Sequence, residues 1–233
     1  MNRNARRGPV RALLLVGLAV PVAALAQIAP SDAEVRAYRG LHAAAAAGNV
    51  AAIERLLAAG ADREASDGNG RTPLHVAVYR KQRAAARLLL AQGANANALD
   101  RQRYDVVTIA AVADDVPTLE LVLAGGASAK NVTSPYDGTA LIAAAHLGHV
   151  EVVRVLIAAG APLDHVNNLT WTALMESIVL GDGGGRHIET LRALVQAGAN
   201  VNISDRAGIT PLAHARGRGY KEMVRILEQA GAQ

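Results

Sequence analysis

Residues 181–187 read Gly-Asp-Gly-Gly-Gly-Arg-His. Glycines leading into a helix can wrap an anion, because free backbone N–H groups and the helix dipole both attract negative charge. Gly183, Gly184, Arg186 and His187 are therefore the candidates for a small-ligand or anion loop. Two features oppose that reading. A phosphate loop follows a strand and ends in Lys-Ser/Thr, whereas this stretch follows a helical pattern and has neither, and Asp182 would repel an anion. Seven histidines raise metal chemistry, and His146 and His149 stand three apart. No pair is joined by cysteine or by carboxylates at zinc-ligand spacing, so no metal or cofactor is expected. No Gly-x-Ser-x-Gly elbow exists, and no Ser/His/Asp set recurs at equivalent depth, which predicts a non-catalytic protein.

The elements that would position these residues emerge from internal repetition. Six segments end in a Gly-Ala step after a Leu-rich run, with glycines at 60, 93, 126, 160, 198 and 231, spaced by 33, 33, 34, 38 and 33 residues. Upstream of each lies a second element: Leu41-His42, Thr72-Pro73-Leu74-His75, Asp105-Val106-Val107-Thr108, Thr139-Ala140-Leu141-Ile142, Thr172-Ala173-Leu174-Met175 and Thr210-Pro211-Leu212-Ala213. A threonine hydroxyl caps a helix start, proline suits the first helical position, and glycine ends a helix in the left-handed conformation. Apolar residues at i, i+3, i+4 and i+7, as in 150–160, complete a helix pair. Ser31 to Glu34 reads as a capping box opening the first helix. The third repeat lacks the Thr-Pro-Leu-His start, and its first helix is expected to be less well capped. Gly181 aligns with Gly148 and Gly48, and His187 with His149, so residues 182–186 are a five-residue insertion in the fifth repeat's inter-helix turn. That loop should project from the end of the helix pair.

Composition fits helices in close contact: the chain has no Phe, one Trp, and is rich in small aliphatics. Residues 1–26 differ from the rest. Arg3, Arg6, Arg7 and Arg11 precede the apolar run Ala12–Ala26, and Ala24-Leu25-Ala26 fits a small-x-small cleavage site. This is the pattern of a secretory signal peptide. The run is short for a membrane span of about 20 residues, so an uncleaved anchor is the lesser alternative. Residues 27–33 read as a linker. The whole chain carries 24 basic and 20 acidic residues, and removing the four N-terminal arginines leaves 20 of each. A neutral mature chain gives no electrostatic reason to bind nucleic acid.

On Gly70–Val78, His146–Ala161 and Gly208–Ala215 the sequence resembles the ankyrin repeat family. The resemblance implies an all-α repeat solenoid of six helix-turn-helix repeats with β-hairpin fingers, at about 34–66, 67–99, 100–133, 134–166, 167–204 and 205–233. It also implies that His75, His149 and His187 are structural, and that a protein partner docks in the concave groove. Transferred onto that groove, the finger and first-helix positions are Arg71, Tyr79, Arg80, Arg101, Tyr104, Tyr136, His146, Leu147, Leu169, Trp171 and Leu180. Four of the six aromatic residues fall on this one surface, and Tyr, Trp and Arg dominate interface energetics. Tyr104, Tyr136 and Trp171 would be the anchors, between repeats two and five. A monomeric periplasmic scaffold, stress-protective or inhibitory in the manner of an immunity protein, is the expected function.

Overall fold

The computed structural model describes residues 27–233, so the expected export signal at 1–26 lies outside the described residues. A short helix, α1 (Asp32–Ala37), precedes six helix pairs: α2 (Gly40–Ala47) with α3 (Val50–Ala58), α4 (Pro73–Tyr79) with α5 (Arg83–Ala91), and α6 (Val106–Val112) with α7 (Val116–Ala124). The stack continues through α8 (Ala140–Leu147) with α9 (Val150–Ala158), α10 (Ala173–Val179) with α11 (Gly185–Gln196), and α12 (Pro211–Gly217) with α13 (Lys221–Gln229). First helices contact first helices and second contact second, giving two helical layers along one axis. The Ser31/Glu34 capping box forms, but it opens α1 ahead of the first pair, inside the stretch read as linker.

Side-chain caps start the first helices of repeats two to six. Thr72, Thr139, Thr172 and Thr210 each accept the N–H three residues on, at 3.2–3.4 Å. In the third repeat Asp105 takes that place, accepting from the Thr108 N–H at 2.8 Å and the Thr108 hydroxyl at 2.8 Å. The expected weak cap is thus corrected, since a carboxylate is a stronger acceptor than a hydroxyl at a helix N-terminus. Asp115 does the same for α7 and also pairs with Arg83 at 2.8 Å. Where the first helices cross, Ala45, Ala77, Ala110, Ala144 and Ala145 are buried, so small side chains permit the close stacking. The helix-ending glycines at 60, 93, 126, 160, 198 and 231 all have φ between 77° and 95°, where a side chain is strained.

Each finger is a hairpin turn whose flanks meet through single backbone bonds: Asp67 to Arg71 (3.0 Å), Asp100 to Tyr104 (2.9 Å), Asn167 to Trp171 (3.1 Å) and Asp205 to Ile209 (3.0 Å). Among the described residues the only strand-like pairing is an isolated bridge between Thr133 and Gly138. A side-chain clamp shapes each turn. Oδ1 of Asp67, Asp100, Asn167 and Asp205 accepts two N–H groups of its own finger at 2.8–3.0 Å. Neighbouring fingers join through Arg101 to Asn69 (2.9 Å), Ser134 to Arg103 (2.9 Å) and Asn168 to Tyr136 (3.0 Å).

Candidate functional site

First helices and fingers together build a concave face, and on it a cavity of about 250 Å³ opens between repeats three and five. Six of the residues singled out from the sequence line it: Tyr104, Tyr136, His146, Leu147, Leu169 and Leu180. Fingers bring Tyr104, Tyr136 and Leu169, while α8 and the end of α10 bring His146, Leu147 and Leu180. Tyr104 is buried and forms floor rather than rim, and that burial pushes its phenol pKa up.

The remaining candidates lie elsewhere. Arg71 is a correction: it is 1% exposed, and its guanidinium is enclosed by Asp67 at 2.7 Å, by Glu34 and by the Ile28 carbonyl at 3.2 Å. It closes the N-terminal end of the stack and offers nothing to a partner. Tyr79 is largely enclosed, with a buried hydroxyl that has no hydrogen-bond partner among the described residues, and burial raises its pKa. Arg80 is exposed and sits 3.8 Å from Asp32. Arg101 is exposed at a finger tip. Trp171, one of the three expected anchors, is half-buried at the base of its finger and does not line the cavity.

Glu176 was not singled out from the sequence. It lies on α10, 3% exposed, with Oε1 accepting from the Asn167 amide at 2.8 Å and Oε2 3.2 Å from His146 Nδ1. The signal was present. Four residues past each first-helix cap stand Val76, Ile109, Ala143 and His214, so a glutamate there breaks an otherwise mostly apolar position. His214 occupies the same place in the sixth repeat and bonds Asp205 of its own finger at 2.8 Å. Glu176 likewise ties helix to finger, but it also faces the cavity.

The glycine stretch is engaged within the stack. Gly184 donates its N–H to Asp182 Oδ1 at 2.8 Å, so a carboxylate of the chain already occupies the position an anion would take. The Gly184 N–H and the His187 ring hold the Asp182 pKa low. His187 also reaches the His146 carbonyl at 2.9 Å, and Arg186 donates to the Gly148 carbonyl at 3.1 Å. Three inserted residues form the turn, while Gly185 and Arg186 lengthen α11. The histidines read as structural behave alike: His75 reaches the Ala98 and Tyr104 carbonyls, and His149 the Ala111 carbonyl. Among the described residues no three His, Cys, Asp or Glu side chains gather as a metal-binding group, and no helix is long and apolar enough to cross a membrane.

Comparison with known proteins bears on this architecture directly. The family described as ankyrin repeats (3 copies) matches residues 13–100 and 107–205, and ankyrin repeats (many copies) matches 185–228. The chain belongs to the ankyrin repeat family. Ankyrin repeats are protein-binding scaffolds, generally without catalytic activity. This ankyrin repeat chain is 36% identical over 103 residues to the ankyrin repeat protein YahD of Escherichia coli, spanning 44% of this chain and about half (51%) of YahD. An ankyrin repeat domain from Acinetobacter baumannii AYE superposes with a TM-score of 0.79 at 44% identity, covering 83% of this chain and 98% of that one. The ankyrin repeat domain of Bcl-3 superposes at 0.75 with 30% identity, covering 84% and 87%.

Proposed function

We propose that this ankyrin repeat protein is exported to the periplasm and there grips a partner protein, as a monomer, on the concave face of repeats three to five. The observation that carries this reading is the cavity, where residues from three fingers and three first helices converge on one apolar opening. An exposed apolar depression with aromatic residues on its lining is a usual form of an interface hot spot. Export rests on the charged, apolar and small-x-small pattern of residues 1–26. A stress-protective or inhibitory role follows if the partner is itself an exported enzyme or toxin. The anion-loop reading is disfavoured, because Asp182 already fills the N–H position at Gly184.

The test is crosslinking in the living cell from probes placed at Tyr136 and Leu169, followed by fractionation. Capture of one defined periplasmic protein, lost in Leu180→Asp and kept on deleting 182–186, is the expected result. A cytoplasmic protein with its N-terminus intact, or capture indifferent to Leu180→Asp, overturns the proposal.

A further inference from the structure

The cavity carries one carboxylate. Among the described residues Glu176 is the sole acidic residue on its lining, no lysine or arginine lines it, and its one titratable neighbour there is His146. Its side chain is 4% exposed, and among the described residues its carboxylate has two partners, the neutral Asn167 amide and His146. A carboxylate oxygen accepts more than one hydrogen bond, so acceptor capacity remains on the cavity side. The walls above it are carbon, from Val112, Ile142, Leu169 and Leu180, and the Tyr104 and Tyr136 rings stand on the same lining. Aromatic faces attract cations, and alkyl stems of Lys and Arg bury readily along apolar surface.

We infer that this cavity is a socket for one lysine or arginine side chain of the partner protein, its alkyl stem against the apolar walls and its cationic head on Glu176. The inference deepens the groove-binding proposal and rests on it. Size selects a side chain over a free small molecule: at about 250 Å³ the cavity falls below the roughly 300–1,000 Å³ typical of pockets that enclose whole ligands. Charge selects the chemistry, since a neutral apolar side chain would seal the carboxylate away from water with its acceptor sites unfilled.

The probes are the Nα-acetyl methylamides of lysine, arginine and norleucine, titrated into the purified protein while the methyl NMR signals of Ile142, Leu169 and Leu180 are followed. The two cations are expected to bind about tenfold more tightly than norleucine. Glu176→Gln keeps both neighbours within hydrogen-bond reach and is expected to erase that preference. Ala143→Leu, which fills the cavity from α8 and leaves the carboxylate alone, is expected to remove binding of all three. Norleucine binding as tightly as lysine, or a cation preference that survives Glu176→Gln, overturns the inference. Crosslinking separates the two proposals: a partner captured equally by wild type and Glu176→Gln keeps the groove and removes the cation. Cation-selective titration with no captured partner keeps the socket and removes the proposed scaffold.

Discussion

Tyr220 donates its hydroxyl to the Gly181 carbonyl at 3.0 Å, so the sixth repeat holds the glycine turn of the fifth. The same ring stands 2.5 Å from where a Cβ on Gly183 would be, and Gly183 has φ +70°. Strain and collision act together there. Gly183→Ala is expected to cost about 2 kcal/mol by urea denaturation. Gly185 heads α11 with nothing within 4 Å of an added Cβ, so Gly185→Ala is expected to be neutral or to stabilise by up to about 1 kcal/mol.

The first helices of repeats one, four and six turn into their partners through left-handed glycines, Gly48, Gly148 and Gly219, with φ of 67°, 65° and 72°. Lys81 and Asp114 hold the same place in repeats two and three at 55° and 50°. The conformation is kept although the residue that suits it is gone. Lys81→Gly is expected to raise the unfolding free energy by up to about 1 kcal/mol by urea denaturation; a fall would show that the lysine side chain contributes more than its backbone strain.

Arg71 sits between Asp67 and Glu34, with Tyr38 donating to Asp67 at 2.6 Å. Removing the cation leaves buried negative charge unmatched. Arg71→Met is expected to destabilise by about 3 kcal/mol and to leave partner capture by repeats three to five unchanged.

Acid should act on the fold in two windows that open at different pH. Burial lowers the His75 pKa, so the folded state holds it neutral. Its contribution is present above the unfolded value of about 6.5 and declines as pH falls toward the lowered folded value; His75→Gln should flatten that slope. The Ser31 hydroxyl and backbone N–H, with Arg71, pull the Glu34 pKa down to about 2. Asp67 is also lowered, by Tyr38 and Arg71 against the opposing effect of burial. Their contribution is complete above roughly pH 4.5 and is lost toward pH 2. The stability difference between wild type and Glu34→Gln, followed by urea denaturation across pH, should therefore shrink in the second window alone.

The repeat spacing was legible because each turn demands a particular backbone: the six Gly-Ala steps all end helices at positive φ. The cavity was half legible. Positions on the concave face follow from register alone, and so Tyr136, Leu169 and Leu180 were found. Burial does not follow from register. Arg71 occupies a finger position like the others, but Asp67 of its own finger, Glu34 of α1 and the Ile28 carbonyl together draw it inward. Asp105 was misjudged because a cap was sought as threonine, although a carboxylate fills the same acceptor role. Glu176 escaped because its partner Asn167 lies nine residues back, on a finger whose approach to α10 is set by folding.

Ile28 donates its N–H to the Gln102 side chain at 3.2 Å, while its carbonyl receives Arg71. A repeat stack ordinarily transmits force only from one unit to the next. This strap skips a unit, running from before α1 to the finger of repeat three. Tension applied at the N-terminus would reach that third finger through this one bond before the first two repeats separate.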